Sequence, residues 1–186
     1  MQTQKAGILL SIPGTVGMRG MGNTSDTGST SGKGGTGEIH LRTLLLDYNG
    51  TLALDGALLD GVPARLAALS ELLEVQVVTA DTFGTVQKAL LAAGLQDIAV
   101  HILPAGHEAD AKLAYLQLCG AKYTCAMGNG RNDRKMLEAA ALSIAIMGGE
   151  GLCVQTMLQA HVVVGNILDA LDLLLHPGRC KATLRE

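Results

Sequence analysis

Aromatic side chains are nearly absent: three tyrosines, one phenylalanine and no tryptophan among 186 residues. A core without large rings must be assembled from Leu, Val, Ala and Ile, and the 48% hydrophobic content supplies them. An excess of either charge is missing too. The formal net charge is −3 and no basic stripe with interleaved aromatics occurs, which argues against nucleic acid as a partner. Long apolar runs are also lacking, so no stretch reads as a membrane span and no membrane role is expected. What remains is a chain long enough for one domain with a sizeable core.

The cysteines exclude little else. Cys119, Cys125, Cys153 and Cys180 form no Cys-x-x-Cys pair, and no neighbouring histidine has zinc-ligand spacing. Without a secretory leader pattern at the start, they read as reduced thiols of a cytoplasmic protein. The five histidines are scattered and carry no assigned chemistry, His107 reading as a solvated helix start.

Against these absences one stretch organises the chain: Thr43-Leu-Leu-Leu-Asp47-Tyr-Asn49-Gly50-Thr51-Leu52. An apolar run that stops at a carboxylate and then breaks into Asn-Gly predicts a buried strand delivering Asp47 to a sheet edge before a sharp turn. Taken alone, the same pattern is ordinary hairpin chemistry.

Upstream, residues 7–12 read as a strand and residues 38–42 as its hairpin partner. Residues 14–37 between them are rich in Gly, Ser and Thr, the composition of a flexible loop. Its run from Lys33 to Gly37 lacks the Gly-x-x-x-x-Gly-Lys-Ser/Thr spacing, and no strand and helix flank it to aim backbone amides at a phosphate. Downstream, strands and helices alternate. Helices are predicted over 61–73, 84–93, 108–119, from Asn132, over 153–159 and over 166–175; strands are predicted over 75–78, 97–102, 123–127, 142–147 and 161–164. That alternation predicts an α/β fold with a parallel sheet covered on both faces.

Open parallel sheets bind ligands at the carboxyl ends of their strands. Three such ends carry polar groups here: Asp47, Thr79, and the run from Asn129 to Asp133. Lys112 lies early in the helix before the last of these strands. Singly, Thr79 is a cap or turn residue, Lys112 a solvated helix lysine and Asn132 an N-cap.

Their joint order resembles the four motifs of the haloacid dehalogenase (HAD) superfamily. The first motif, Asp-x-Asp-Gly-Thr, is matched at Asp47, Gly50 and Thr51, with Asn49 in place of its second Asp. Thr79 and Lys112 follow, and Gly128-Asn129-Gly130-Arg131-Asn132-Asp133 is similar to Gly-Asp-Gly-x-Asn-Asp. The resemblance runs from residue 43 to about 175 and is nearest to the phosphorylation domain of P-type ATPases and small soluble proteins related to it. It implies a Rossmannoid three-layer sandwich over residues 38–178, here with an N-terminal β-hairpin, the strand at 1–13 and the loop at 14–37 preceding it and a tail at 179–186 following. No cap domain is expected, because the intervals between the motifs are filled by the expected flap, helices and strand.

The resemblance further implies a Mg²⁺-dependent phosphohydrolase, phosphatase or ATPase-like, that forms an aspartyl-phosphate on Asp47. Its catalytic residues would be Asp47, Asn49, Thr79 and Lys112. Phosphate would be bound by Thr79, Ala80, Lys112 and Asn132, and Mg²⁺ by Asp47, the Asn49 backbone carbonyl, Asn129 and Asp133. The expected substrate is a phosphorylated small molecule or nucleotide, with a large substrate or a second subunit of a homo-oligomer covering the open site. Two departures matter. Asn49 can neither protonate a leaving group nor activate water, and Asn129 replaces a metal-ligating carboxylate by a neutral amide. Slow turnover is expected, and the alternative is a phosphate-binding or scaffolding module that keeps the fold without the catalysis.

Overall fold

In a computed structural model the described residues are 5–13, 36–81, 84–104 and 106–185. The organising strand is β3 (Thr43–Leu46), whose side chains are all buried. Leu44 and Leu46 join one apolar cluster and Leu45 the other, as the two-residue period of a strand covered on both faces requires. Five parallel strands share its sheet: β6 (Glu74–Thr79), β7 (Ala99–Ile102), β8 (Thr124–Gly128), β9 (Leu142–Ile146) and β10 (Val162–Val164), in the order β10-β9-β8-β3-β6-β7. The strand order reverses direction at β3, so the crevice between β3 and β8 is where such a sheet opens to ligands.

The helices form the outer layers. Val62, Leu66 and Leu69 of α1 (Val62–Ser70), Val86 and Leu90 of α2 (Thr85–Ala92) and four apolar residues of α6 (Ile167–Leu175) enter the first cluster. Leu116 of α3 (Glu108–Cys119) and Met136 and Leu137 of α4 (Arg134–Ala139) enter the second, so the chain is a three-layer α/β sandwich. A bidentate contact from Arg65 to Asp172, at 2.7 and 3.0 Å, ties α1 to α6. A two-stranded antiparallel hairpin of β1 (Ile8–Pro13) and β2 (Thr36–Leu41) precedes the sheet, with Ile8 opposite Leu41. Among the described residues no helix is long and apolar enough to cross a membrane.

Several boundaries differ from the sequence reading. Of the loop expected over 14–37, positions 14–35 lie outside the described residues, while 36 and 37 already belong to β2. The helix expected to reach residue 73 ends at Ser70, yet Leu73 remains fully buried and donates to the Leu69 carbonyl at 2.8 Å. The helix expected over 153–159 is the single turn α5 (Val154–Met157). Residues 179–186, read as a tail, mostly belong to α7 (Pro177–Leu184), which packs on β1. Cys180 is buried and Leu184 lies one turn later against the same cluster, a two-residue apolar stripe too short to register as periodicity.

Candidate active site

Strand register brings the polar ends together. Leu46 pairs with Val77 of β6 and Met127 of β8, so Asp47 stands level with Val78 and Gly128, and Thr79 lies one residue beyond. The Asp47 amide continues the ladder by donating to the Met127 carbonyl at 3.0 Å. The chain then turns because the Tyr48 carbonyl accepts from Leu52 and Ala53 at 2.8 and 3.0 Å, while the buried Tyr48 hydroxyl donates to the Gly56 carbonyl at 3.0 Å. The turn is followed by a small flap, β4 (Ala53–Leu54) against β5 (Ala57–Leu58). It leaves Asn49 exposed and sends Thr51 inward. Gly50, at φ 76°, lies so close to the loop after β8 that a Cβ there would meet the Asn129 amide nitrogen at 2.5 Å. Only glycine combines that backbone conformation with that approach.

Lys112, one turn into α3, is 0% exposed. Its ammonium donates to Asp47 Oδ1 and Asp133 Oδ1, each at 2.5 Å. Burial alone would lower its pKa, but the two carboxylate charges and their hydrogen bonds hold it above the ordinary lysine value. Asp133 is also wholly buried, and its Oδ2 accepts from the amides of Asn129 and Gly130 at 3.0 and 2.9 Å. Burial and the Asp47 charge push its carboxyl up, against the opposing pull of Lys112 and the Gly130 amide. Both Asp133 oxygens are therefore committed within the protein.

Asn129 is oriented from behind: its Nδ2 donates to the Gly151 carbonyl at 2.9 Å, and its Oδ1 lies against the Thr51 hydroxyl. The Thr51 hydroxyl lies 3.1 Å from Asp47 Oδ2 and 3.3 Å from Asn129 Oδ1, with one hydrogen to share between two acceptors. Three hard oxygens thus converge with a single proton among them. Such a donor set suits Mg²⁺, although among the described residues no cluster of three or more His, Cys, Asp or Glu side chains forms.

The sequence-predicted residues separate into two groups. Asp47, Lys112 and Asp133 meet in one hydrogen-bonded cluster that Asn129 joins through Thr51, while Asn49, two residues after Asp47, is exposed. Thr79 is buried at the end of β6, Ala80 follows it partly buried, and Asp81 Oδ2 accepts from the Val86 amide at the start of α2. Asn132 is drawn elsewhere: its Nδ2 donates to Glu108 Oε2 at 2.9 Å. Thr51 as the shared hydroxyl escaped the sequence reading of roles although it stood in the quoted motif. The Thr156 hydroxyl and the Cys153 amide, which bond the carbonyls of Gly130 and Asn129 at 2.7 and 2.9 Å, had no signal in the sequence.

No family model matches the chain, but curated proteins and solved structures do, among them the following. An uncharacterized Methanocaldococcus jannaschii protein, MJ0073, is 48% identical over 65 residues, covering 35% of this chain and 70% of that protein. A putative HAD family hydrolase from Streptomyces avermitilis superposes with a TM-score of 0.58 at 17% identity, over 74% of this chain and 87% of that one. A 3-deoxy-D-manno-octulosonate 8-phosphate phosphatase from Moraxella catarrhalis, solved with magnesium, phosphate and KDO, gives 0.54 at 17% identity, over 73% and 86%. At such identities the structural likeness is one of fold.

Proposed function

We propose, for a chain that belongs to the same family as MJ0073 and carries the fold of HAD superfamily hydrolases, that it is a Mg²⁺-dependent phosphohydrolase acting through Asp47. The observation that carries this reading is the fully buried Lys112 bridging Asp47 and Asp133. Burying a lysine between two carboxylates at the end of a strand has a large desolvation cost that packing alone does not call for. It makes sense where charge must be gathered around a transferring phosphoryl group.

With both carboxylates ionised and Lys112 protonated, the cluster carries one net negative charge, which would repel a phosphate dianion. Mg²⁺ held by Asp47, Asn129 Oδ1 and the Asn49 carbonyl would offset that repulsion and polarise the phosphoryl oxygens. Asp133 instead anchors the loop and fixes Lys112. An Asp47 carboxylate oxygen attacks phosphorus, and the bond to the leaving oxygen breaks with its electron pair on that oxygen. Thr79, Ala80 and Lys112 steady the phosphoryl oxygens. The leaving oxygen takes its proton from solvent, because the Asn49 amide has none to give. Water then attacks phosphorus, releasing inorganic phosphate and restoring the Asp47 carboxylate.

Between β3 and β6 the chain forms only the flap and α1, which supports an uncapped site in the manner of P-type ATPase phosphorylation domains. The substrate would be a phosphorylated small molecule or nucleotide whose leaving group needs little protonation. The test is hydrolysis of an aryl phosphate with and without Mg²⁺, together with trapping of an acyl-phosphate on Asp47. Mg²⁺-dependent turnover and a hydroxylamine-labile label, both absent from Asp47→Asn, are expected. No label and no turnover in the wild type would instead favour a phosphate-binding module.

A further inference from the structure

Beside the reactive cluster lies an open cleft of about 390 Å³, lined by His107, Glu108, Arg131, Asn132 and Arg134 among others. That volume falls in the range of small-ligand sites. The acids nearby are already engaged: Glu108 accepts from Asn132, and Asp110 is paired with Lys135. Arg131 and Arg134 have no carboxylate partner among the described residues, whose ion pairs use His40, Arg65, Lys112 and Lys135. Two guanidiniums thus face the cleft against one carboxylate.

The cleft is joined to the cluster by covalent structure. Arg131 is two residues from Asp133, and Glu108 precedes Lys112 by four residues on α3, about 6 Å along the helix axis. A guanidinium offers paired, planar N–H donors that match a carboxylate or phosphate. We propose that this cleft is a second anion subsite, so that the substrates are short phosphate monoesters carrying a further anionic group, carboxylate or phosphate. The proposal rests on the phosphohydrolase reading above.

The test compares 3-phosphoglycerate with glycerol 3-phosphate, which differ only by a carboxylate in place of a hydroxymethyl group, and a bisphosphate with its monophosphate. At low ionic strength kcat/KM should favour the doubly anionic member of each pair about tenfold or more. An Arg131→Gln/Arg134→Gln variant should lose that preference, and the corresponding Lys variant should keep part of it. Equal kcat/KM within both pairs in the wild-type protein overturns the subsite. If no ester is hydrolysed, the phosphohydrolase reading fails by itself, and calorimetric titration decides the subsite separately. Binding of 3-phosphoglycerate at least tenfold tighter than that of glycerol 3-phosphate, lost in the Gln variant, sustains it, whereas equal affinities sink it.

Discussion

The two sides of the reactive cluster are built on different principles. On one side Lys112 and Asp133 are wholly buried, and each charged oxygen or ammonium has a named partner. On the other, Asn49 is exposed and Asn129 presents a neutral amide oxygen, so neither brings charge or a transferable proton. One side holds buried charge at the cost of desolvation, while the other presents amides. Under the proposed phosphohydrolase reading, the contrast separates two demands of phosphoryl transfer, namely positioning charge and moving protons.

The largest effect should come from breaking the buried side. Lys112→Met leaves two largely buried carboxylates facing each other without their cation, and removing one member of a buried ion pair typically costs about 3–5 kcal/mol. A urea unfolding midpoint lowered accordingly, together with loss of phosphatase turnover, is expected. Adding Asp133→Asn should return part of the stability but none of the turnover. A single variant within about 1 kcal/mol of wild type would mean that the lysine is not held as described.

Next in size is the amide side. Asn49→Asp supplies the missing acid and base, worth about 10² to 10⁴ in rate where such help operates. Like-charge repulsion from Asp47 can consume some of it, so a rise of about tenfold in steady-state aryl phosphate turnover is the least that supports the contrast. Unchanged turnover, with Mg²⁺ binding verified, removes Asn49 as the limiting element.

The contact within the amide side, between the loop of Asn49 and that of Asn129, can be tested by a pair of glycines. Gly50 and Gly56 have φ of 76° and 81°, but an added Cβ would collide with the Asn129 amide only at Gly50 and would meet nothing within 4 Å at Gly56. Gly56→Ala should cost the left-handed strain alone, about 1–2 kcal/mol. Gly50→Ala should exceed it in urea unfolding and also weaken Mg²⁺ binding, because Asn129 Oδ1 must move. Equal losses would show that the loops do not depend on this approach.

Legibility in the sequence followed the same division. The sheet was readable because Leu44, Leu45 and Leu46 form a continuous apolar run, the mark of a strand buried on both faces. Lys112 by itself looks like a solvated helix lysine, and only its place in an ordered set of motifs raised it. Its burial arises from long-range contacts with Asp47 and Asp133 that no local window contains. Its motif position places Asn132 among the expected phosphate ligands, whereas in the structure its Nδ2 donates to Glu108, 24 residues away. Thr51 reads in the sequence as a match to the first motif, but its inward-facing hydroxyl depends on the turn that the Tyr48 carbonyl closes.

The smallest expected effect lies outside both sides and calibrates them, because it involves a neutral ring in place of a charged cluster. His161 Nδ1 accepts the Ser143 amide at 3.1 Å, so that nitrogen carries no proton, and burial lowers the pKa of the ring. Protonation would set one N–H against another. A depressed folded-state pKa contributes stability that is present above the unfolded value of 6.5 and is lost as pH falls through the folded value. Thermal stability should therefore decline on acidification below about pH 6.5. The raised Asp133 carboxyl acts in the opposite sense, contributing at acid pH and losing its part as pH rises through its own folded value, so the wild-type profile mixes the two. His161→Asn, whose Oδ1 can take over the Ser143 amide without titrating, should abolish the decline below pH 6.5 while leaving the neutral-pH melting temperature within a few degrees. Parallel profiles for the two proteins would show that the ring does not titrate against its Ser143 partner.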